Sequence, residues 1–169
     1  MVAHMNSAFQ TLRERMAELA DLHSAAQVLE WDQQTMMPPR GARARAEALA
    51  TLHRVSHEKF ISADTGSLIE AAESALDGAG PDSDEARLVA VSRRRWEKAR
   101  RVPSDLAADL ARAGSLGQEA WVKARAESDF TQFAPFLERN LELARRYTEC
   151  FDSFDCAYDV LLDDYGPAM

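Results

Sequence analysis

His53, His57 and Glu58 have the spacing that comes nearest to a metal-binding pattern. In the H-E-x-x-H signature, two histidines one helical turn apart hold a zinc ion and the glutamate activates a water molecule. Here Ile61 occupies the place of the second histidine, so the signature is absent. His53 and His57 are also one turn apart, but a closed zinc site needs four ligands and no further one is indicated. The pattern favours histidines that cap or pair on a helix face, and no metal ligand is predicted.

Four carboxylates offer, on paper, a pair for general acid–base chemistry. Glu30 and Asp32 flank Trp31, and Asp163 and Asp164 lie near the end of the sequence. Because the chain contains 28 acidic residues, a few adjacent ones carry little information. The spacing favours carboxylates that face solvent or pair with arginine near helix ends, and no catalytic residue is predicted.

The most irregular stretch, residues 30–52, reads EWDQQTMMPPRGARARAEALATL. Pro39 holds Pro38 in extended geometry and neither supplies a backbone N–H, so we expect the first helix to end before Pro38. The residues that follow are rich in arginine, with Arg40, Arg43 and Arg45. These side chains either grip a carboxylate through the guanidinium fork or form a solvated face that pairs with nearby acids. We call residues 31–45 the corner.

Composition and charge exclude two classes of partner. Lys and Arg number 20 against 28 Asp and Glu, and the net charge of -8 opposes binding to nucleic acid. No apolar run approaches the roughly 18 residues of a membrane span, so no membrane is expected.

The N-terminus and the cysteines indicate the compartment. Residues 1–5 lack an export signal and are interpreted as a cloning remnant with a disordered start, which precedes a helical domain over residues 6–169. Cys150 and Cys156 are too few for a disulfide scaffold and are expected to be buried thiols. A cytoplasmic location is therefore expected.

Hydrophobic periodicity predicts an all-α fold. From Ser7 onward, apolar residues recur at steps of three and four, and no stretch alternates as a half-buried strand does. We expect a single domain of about six amphipathic helices with a short terminal turn and no β-sheet. The clearest loop is at residues 78–81. The sixth helix has apolar residues on more than one face and is expected to be central.

Capping residues and glycines predict local details of the helices. Asp82 is expected to open the fourth helix, Pro103 the fifth, and Thr131 to cap the sixth. Gly114 and Gly117 in the fifth helix either weaken it or let another helix approach closely.

Four successive blocks of the sequence resemble a known family. They read WDQQTMMPPRGARARAEALATLHRVSHE, RRRWEKARRVPSDLAADLARAGSLGQEAW, DFTQFAPFLERNLELARR and YDVLLDDYGPAM. The blocks resemble the N-terminal region of the Taq-type thermostable carboxypeptidases, which are metal-dependent enzymes that remove residues from peptide C-termini. The resemblance covers nearly the whole chain, from about Phe9 to Met169. It implies a helical fold around a deep groove with zinc or another divalent ion at its base.

The same resemblance implies that the H-E-x-x-H helix and the other metal ligands lie beyond the matched blocks. This chain departs from the family pattern at Ala48, where the family commonly has glutamine, and in residues 164–169, which read DYGPAM in place of DYEPGM. The chain is interpreted either as a short relative that lost its catalytic half or as a deliberate fragment.

The resemblance implies that the chain forms the wall or lid of a peptide-binding groove and is inactive by itself. The expected partners are the remainder of a carboxypeptidase chain or a second copy, with a peptide as substrate of the complete enzyme. The alternative is a stand-alone helical protein-interaction module derived from that family. The residues expected to organise the groove are Trp31, Asp32, Gln33, Thr35, Met36 and Arg45. If Trp31 is buried its role is structural, whereas an exposed Trp31 favours a binding role.

Overall fold

The computed structural model describes most of the chain, with side chains from residue 7 onward. The described residues are 2–38, 40–76, 80, 82–152 and 154–166. Within them the fold is all-α without strands, as predicted. The elements are α1 (Val2–Thr35), α2 (Ala42–Ile61), α3 (Ala63–Ser74), α4 (Asp84–Ala99), α5 (Ser104–Glu127), a 3-10 turn (Phe130–Gln132), α6 (Ala134–Thr148) and α7 (Ala157–Tyr165). The expected terminal turn is therefore a helix, α7.

Some predicted features lie partly or wholly outside the described residues. They include Pro39 of the double proline, residues 78, 79 and 81 of the predicted loop, and residues 167–169 of the terminal block. The interpretation of residues 1–5 as a cloning remnant stays a prediction. In the described part of the chain, no helix has the length and apolar character to cross a membrane.

The helix α1 ends at Thr35, before Pro38, as the double proline predicts. The backbone N–H groups of Met36 and Met37 both donate to the Asp32 carbonyl at 2.9 Å, which closes the last turn of the helix. The Gly41 N–H then donates to the Pro38 carbonyl at 2.8 Å, directly before α2 begins. The chain therefore reverses within a few residues, which brings the end of α1 close to the start of α2.

The central helix of the fold is α2, which packs against α1, α3, α4 and α5. Its buried face is formed mostly by small side chains, at Ala42, Ala46, Leu49 and Ala50. Small side chains permit close approach of neighbouring helices. The prediction that the sixth helix is central was wrong, because α6 buries only Leu143 and leaves Phe136 and Leu141 exposed.

The buried apolar side chains form two hydrophobic clusters. The first core joins α1, α3 and α4 through Leu12, Ile69, Ala72, Val89 and Trp96. The second core joins the start of α5 to α6, α7 and the segment between them, through Val102, Leu106, Ala113, Leu143, Phe151 and Val160. Each fully buried leucine, isoleucine, valine or phenylalanine contributes about 1.5–3 kcal/mol to stability.

Gly66 in α3 allows Trp96 to close the first core. A Cβ atom at Gly66 would lie only 2.7 Å from Cζ2 of Trp96, so no larger residue fits without displacing the ring. The guanidinium of Arg100 lies 4.7 Å from the centre of the same ring. The indole is thus enclosed by backbone on one side and covered by a cation on another.

Two of the predicted caps were wrong, while the start of α5 at Ser104 after Pro103 was predicted correctly. Ser83 caps α4, because its hydroxyl oxygen accepts from the Ala86 N–H at 3.2 Å, whereas Asp82 pairs with an arginine side chain. Thr131 lies within the 3-10 turn, which Asp129 caps, and α6 begins later without a side-chain cap.

The two glycines of α5 have different surroundings. A Cβ atom at Gly117 would lie 3.1 Å from Nδ2 of Asn140 in α6, so this glycine permits a close approach of α6. A Cβ atom at Gly114 would meet nothing within 4 Å, so this position only weakens the helix.

Candidate functional site

An arginine that bridges the two helices holds the corner together. The guanidinium of Arg45 donates to the Leu29 carbonyl through Nη1 and to the Asp32 carboxylate through Nη2. The Arg45 side chain is only 15% exposed, so its charge is largely withdrawn from water and requires such partners. Arg45 therefore pairs with a nearby acid through one guanidinium nitrogen, so the two-pronged fork is not observed, and its low exposure also differs from the solvated face of the other alternative. Asp32 is consequently an arginine-paired carboxylate rather than a free acid or base.

Gln33 attaches the corner to α5. Its Nε2 donates to the Ser115 backbone carbonyl at 2.8 Å, and its Oε1 accepts from the Ser115 hydroxyl at 2.8 Å. Ser115 is buried, so this reciprocal pair satisfies polar groups that would otherwise be costly to withdraw from water. The corner therefore has fixed positions relative to both α2 and α5.

Trp31 and Met36 face away from this polar network. Trp31 is 63% exposed and Met36 is 73% exposed, whereas the Thr35 hydroxyl donates back to the Trp31 carbonyl at 2.9 Å within the helix. Trp31 is thus not buried between the first two helices. The exposure of Trp31 favours a binding role over a packing one, and that role stays a prediction.

Three cavities adjoin one another through shared lining residues, and together we call them the groove. The first has a volume of about 470 Å³ and a mostly apolar lining from α2, α4 and α5, with Tyr147 and Asp164 at its edge. The second, about 290 Å³, shares His53, Leu110 and Ala111 with the first. The third, about 320 Å³, shares glutamines of α1 and α5 with the second. The groove therefore leads from an apolar end to an amide-rich end beside Gln33 and Gln34.

An ionic cluster closes the apolar end of the groove. The ammonium of Lys98 lies 2.8 Å from the Asp163 carboxylate and 2.5 Å from that of Asp164, and Arg94 pairs with Asp163 at 2.6 Å. The Tyr147 hydroxyl donates to Asp164 at 2.9 Å. Burial and this carboxylate raise the pKa of Tyr147 well above its usual range. The cluster binds α7 to α4 and α6, and both aspartates serve as partners for cations.

The profile of the carboxypeptidase Taq metallopeptidases, family M32, matches residues 11–169. The chain belongs to this family. Thermostable carboxypeptidase 1 of Thermus thermophilus is 34% identical over 172 aligned residues, which cover 96% of this chain and 34% of that protein. The chain thus spans about a third of the length of this M32 relative.

Solved structures of M32 relatives share the fold. The M32 carboxypeptidase from Deinococcus radiodurans superimposes with a TM-score of 0.69 at 30% identity, over 96% of this chain and 32% of that chain. The crystal structure of BsuCP superimposes with a TM-score of 0.90 at 23% identity, over 96% of this chain and 32% of that one. At that identity the second likeness shows the fold alone.

A metallopeptidase needs ligands for its metal ion, and the surroundings of His53 and His57 do not form such a site. The Nδ1 atom of His57 lies 3.1 Å from the Ser104 hydroxyl, and its Nε2 lies 3.1 Å from the Ala99 carbonyl, so both ring nitrogens have partners. His53 lies 3.8 Å from Glu30. The described residues include no group of three or more His, Cys, Asp or Glu placed to hold a metal.

The remaining side chains of interest were located only by the structure. Cys156 is exposed, so its prediction as a buried thiol was wrong, while burial raises the pKa of the partly buried Cys150. The ionic cluster at the groove was also missed, because Lys98 and Asp163 are 65 residues apart in sequence. The available signal for this cluster was the run of basic residues at the end of α4. Because these cations outnumber the acidic residues near them in sequence, some of them need acidic partners from distant parts of the chain.

Proposed function

We propose that this chain forms the N-terminal helical wall or lid of the peptide-binding groove of an M32 metallocarboxypeptidase and does not hydrolyse peptides by itself. The observation that carries the proposal is the match of residues 11–169 to the M32 family, over about a third of the length of a curated relative. The complete enzyme would use a metal-activated water to attack the C-terminal peptide bond of its substrate.

The construction of the corner supports a structural and docking role for the site residues. Arg45 fixes α1 to α2, and Gln33 fixes α1 to α5, so the exposed Trp31 and Met36 are presented on a rigid base. Rigid presentation of apolar side chains lowers the entropy that is lost when they are covered by another surface. The remainder of the carboxypeptidase or its peptide substrate is the partner that we expect there.

A chimera tests the proposal directly. This chain would replace the aligned third of the Thermus thermophilus carboxypeptidase, and release of the C-terminal amino acid from a blocked dipeptide would be measured with and without a chelator. We expect chelator-sensitive activity from the chimera and none from the 169-residue chain alone. The remaining two-thirds of the Thermus protein, expressed alone, is the control.

Two results would contradict the proposal. Metal-dependent release by the purified 169-residue chain, with contaminating protease excluded, would show that it carries its own catalytic site. A chimera that folds cooperatively but has no more activity than the Thermus control would favour the stand-alone interaction module. Replacement of Trp31 by alanine in an active chimera then measures the docking role, because this exposed side chain contributes little to the fold.

A further inference from the structure

The apolar end of the groove has the features of a ligand site that the proposed function does not use. Its volume of about 470 Å³ lies within the range of roughly 300–1,000 Å³ that is typical of small-molecule sites. Phe60, Val102 and Leu110 form apolar parts of the wall, from α2, the segment before α5, and α5. A ligand that fills this space must therefore have an apolar body.

The charges around this cavity are balanced except for one. Lys98 is matched by Asp163 and Asp164. His57 has hydrogen-bonding partners at both ring nitrogens. Arg95 is exposed at the cavity and makes no ion pair or hydrogen bond with any residue that the structure describes.

An unmatched guanidinium beside an apolar wall selects for a particular ligand class. Arginine binds carboxylates through two parallel N–H donors, and this geometry is more specific than that of a point charge. Asp163 and Asp164, the acidic side chains of the ionic cluster, are engaged by Lys98 and Arg94. We propose that this cavity binds an apolar carboxylate, with the apolar body against Phe60, Val102 and Leu110 and the carboxylate on Arg95.

This inference stands on the cavity and on Arg95, and only its peptide source rests on the proposed function. Two sources share the chemistry, namely a blocked apolar amino acid, as at a peptide C-terminus, and a medium-chain fatty acid. Titration calorimetry with N-acetyl-L-phenylalanine and with octanoate separates them. We expect at least one to bind with a Kd on the order of 1 mM or tighter, as is usual for ligands of this size. The compound with the lower Kd identifies which of the two sources the cavity prefers.

Charge recognition is tested by removing either partner. N-acetyl-L-phenylalanine amide and octanamide keep the apolar bodies but lack the negative charge, and we expect each to bind about tenfold more weakly than its acid. The Arg95→Gln variant should lose about the same factor for the acid and nothing for the amide. Arg101→Gln is the matched control, because Arg101 is an exposed arginine close in sequence that does not line the cavity.

Filling the cavity tests the location. Ala111 lies in the wall between the first two cavities, and Ala111→Phe should abolish binding by occupying the space. Circular dichroism melting establishes that each variant is folded before its titration is interpreted. Three results would overturn the proposal. The first is that neither acid binds at a concentration about 10-fold above the expected Kd, and the second is that the amides bind as well as the acids. The third is that folded Arg95→Gln and Ala111→Phe bind the acids like the unaltered chain.

Discussion

Two tryptophans show how differently the corner and the first core are built. Trp31 at the corner is 63% exposed, whereas Trp96 in the first core is 9% exposed and lies against Gly66. At the corner, the position of the backbone is fixed by polar side chains, and the indole itself remains accessible. In the core, the indole is part of what holds three helices together. The difference shows that Trp31 is available at the surface of the corner, whereas Trp96 contributes to the stability of the first core.

Exchanging each tryptophan for alanine is the strongest test of that comparison. Trp96→Ala should lower the free energy of unfolding by about 3–5 kcal/mol, because it leaves a large cavity in the first core. Trp31→Ala should change it by less than about 1 kcal/mol, as is usual for exposed positions. Chemical denaturation of both variants provides the measurement. Equal losses would show that the corner depends on its tryptophan for folding.

Replacement of the glycine beneath Trp96 tests how tightly the core is packed. Gly66→Ala should destabilise the protein by about 1–3 kcal/mol, because the new methyl group cannot coexist with the present position of the ring. Gly114→Ala is the control in α5, where open space and better helix propensity should stabilise by up to about 1 kcal/mol. Opposite signs in thermal or chemical unfolding are the expected result. A stabilising Gly66→Ala would show that Trp96 can move.

Removal of an arginine tests whether polar contacts fix the corner. Arg45→Ala leaves the Leu29 carbonyl and the Asp32 carboxylate without their donor and should cost about 2 kcal/mol, the range for hydrogen bonds to charged groups. Arg43→Ala, at an exposed position on the same helix, should change stability by less than about 0.5 kcal/mol. If the two variants unfold alike at equilibrium, the corner is held by packing instead.

The smallest expected effect concerns the pH dependence of His57. Burial lowers the pKa of His57 below its usual value of 6.5, so the unfolded chain binds a proton at a higher pH than the folded chain does. The stabilisation that comes from keeping the His57 ring neutral in the folded chain is therefore complete above pH 6.5. It is lost as the pH falls through the lowered pKa of the folded state. Unfolding of the parent and of His57→Gln at several pH values should show a difference that shrinks toward acid. A constant difference between about pH 7.5 and 5 would contradict this.

The sequence predicts those parts of the fold that depend on neighbouring residues. The end of α1 before Pro38 and the start of α5 after Pro103 follow from proline geometry, and both are observed. The central helix was misassigned, because hydrophobic periodicity shows how apolar a helix is but not which face is covered. The small side chains on the buried face of α2 contribute little to the hydrophobic pattern of the sequence, although they permit the closest packing of neighbouring helices.

The contacts of the candidate site could not be predicted from the sequence. The irregular corner was identified from its prolines and arginines, whereas the attachment of Gln33 to Ser115 depends on α5, 82 residues away. The exposure of Trp31 is likewise seen only in the folded chain. The groove required the relative placement of α2, α4 and α5, which no local pattern specifies. Whether the corner residues act in a peptide-binding groove stays a prediction.

The packing of α2 against α5 also has a consequence for synthesis. The chain emerges from the ribosome with its N-terminus first, and α2 is complete long before Ser104 begins the helix that covers it. Short helices without tertiary partners are marginally stable in water. A nascent chain that ends within α4 therefore leaves the part of α2 that packs against α5 uncovered, and this is the interval in which a chaperone has a surface to hold.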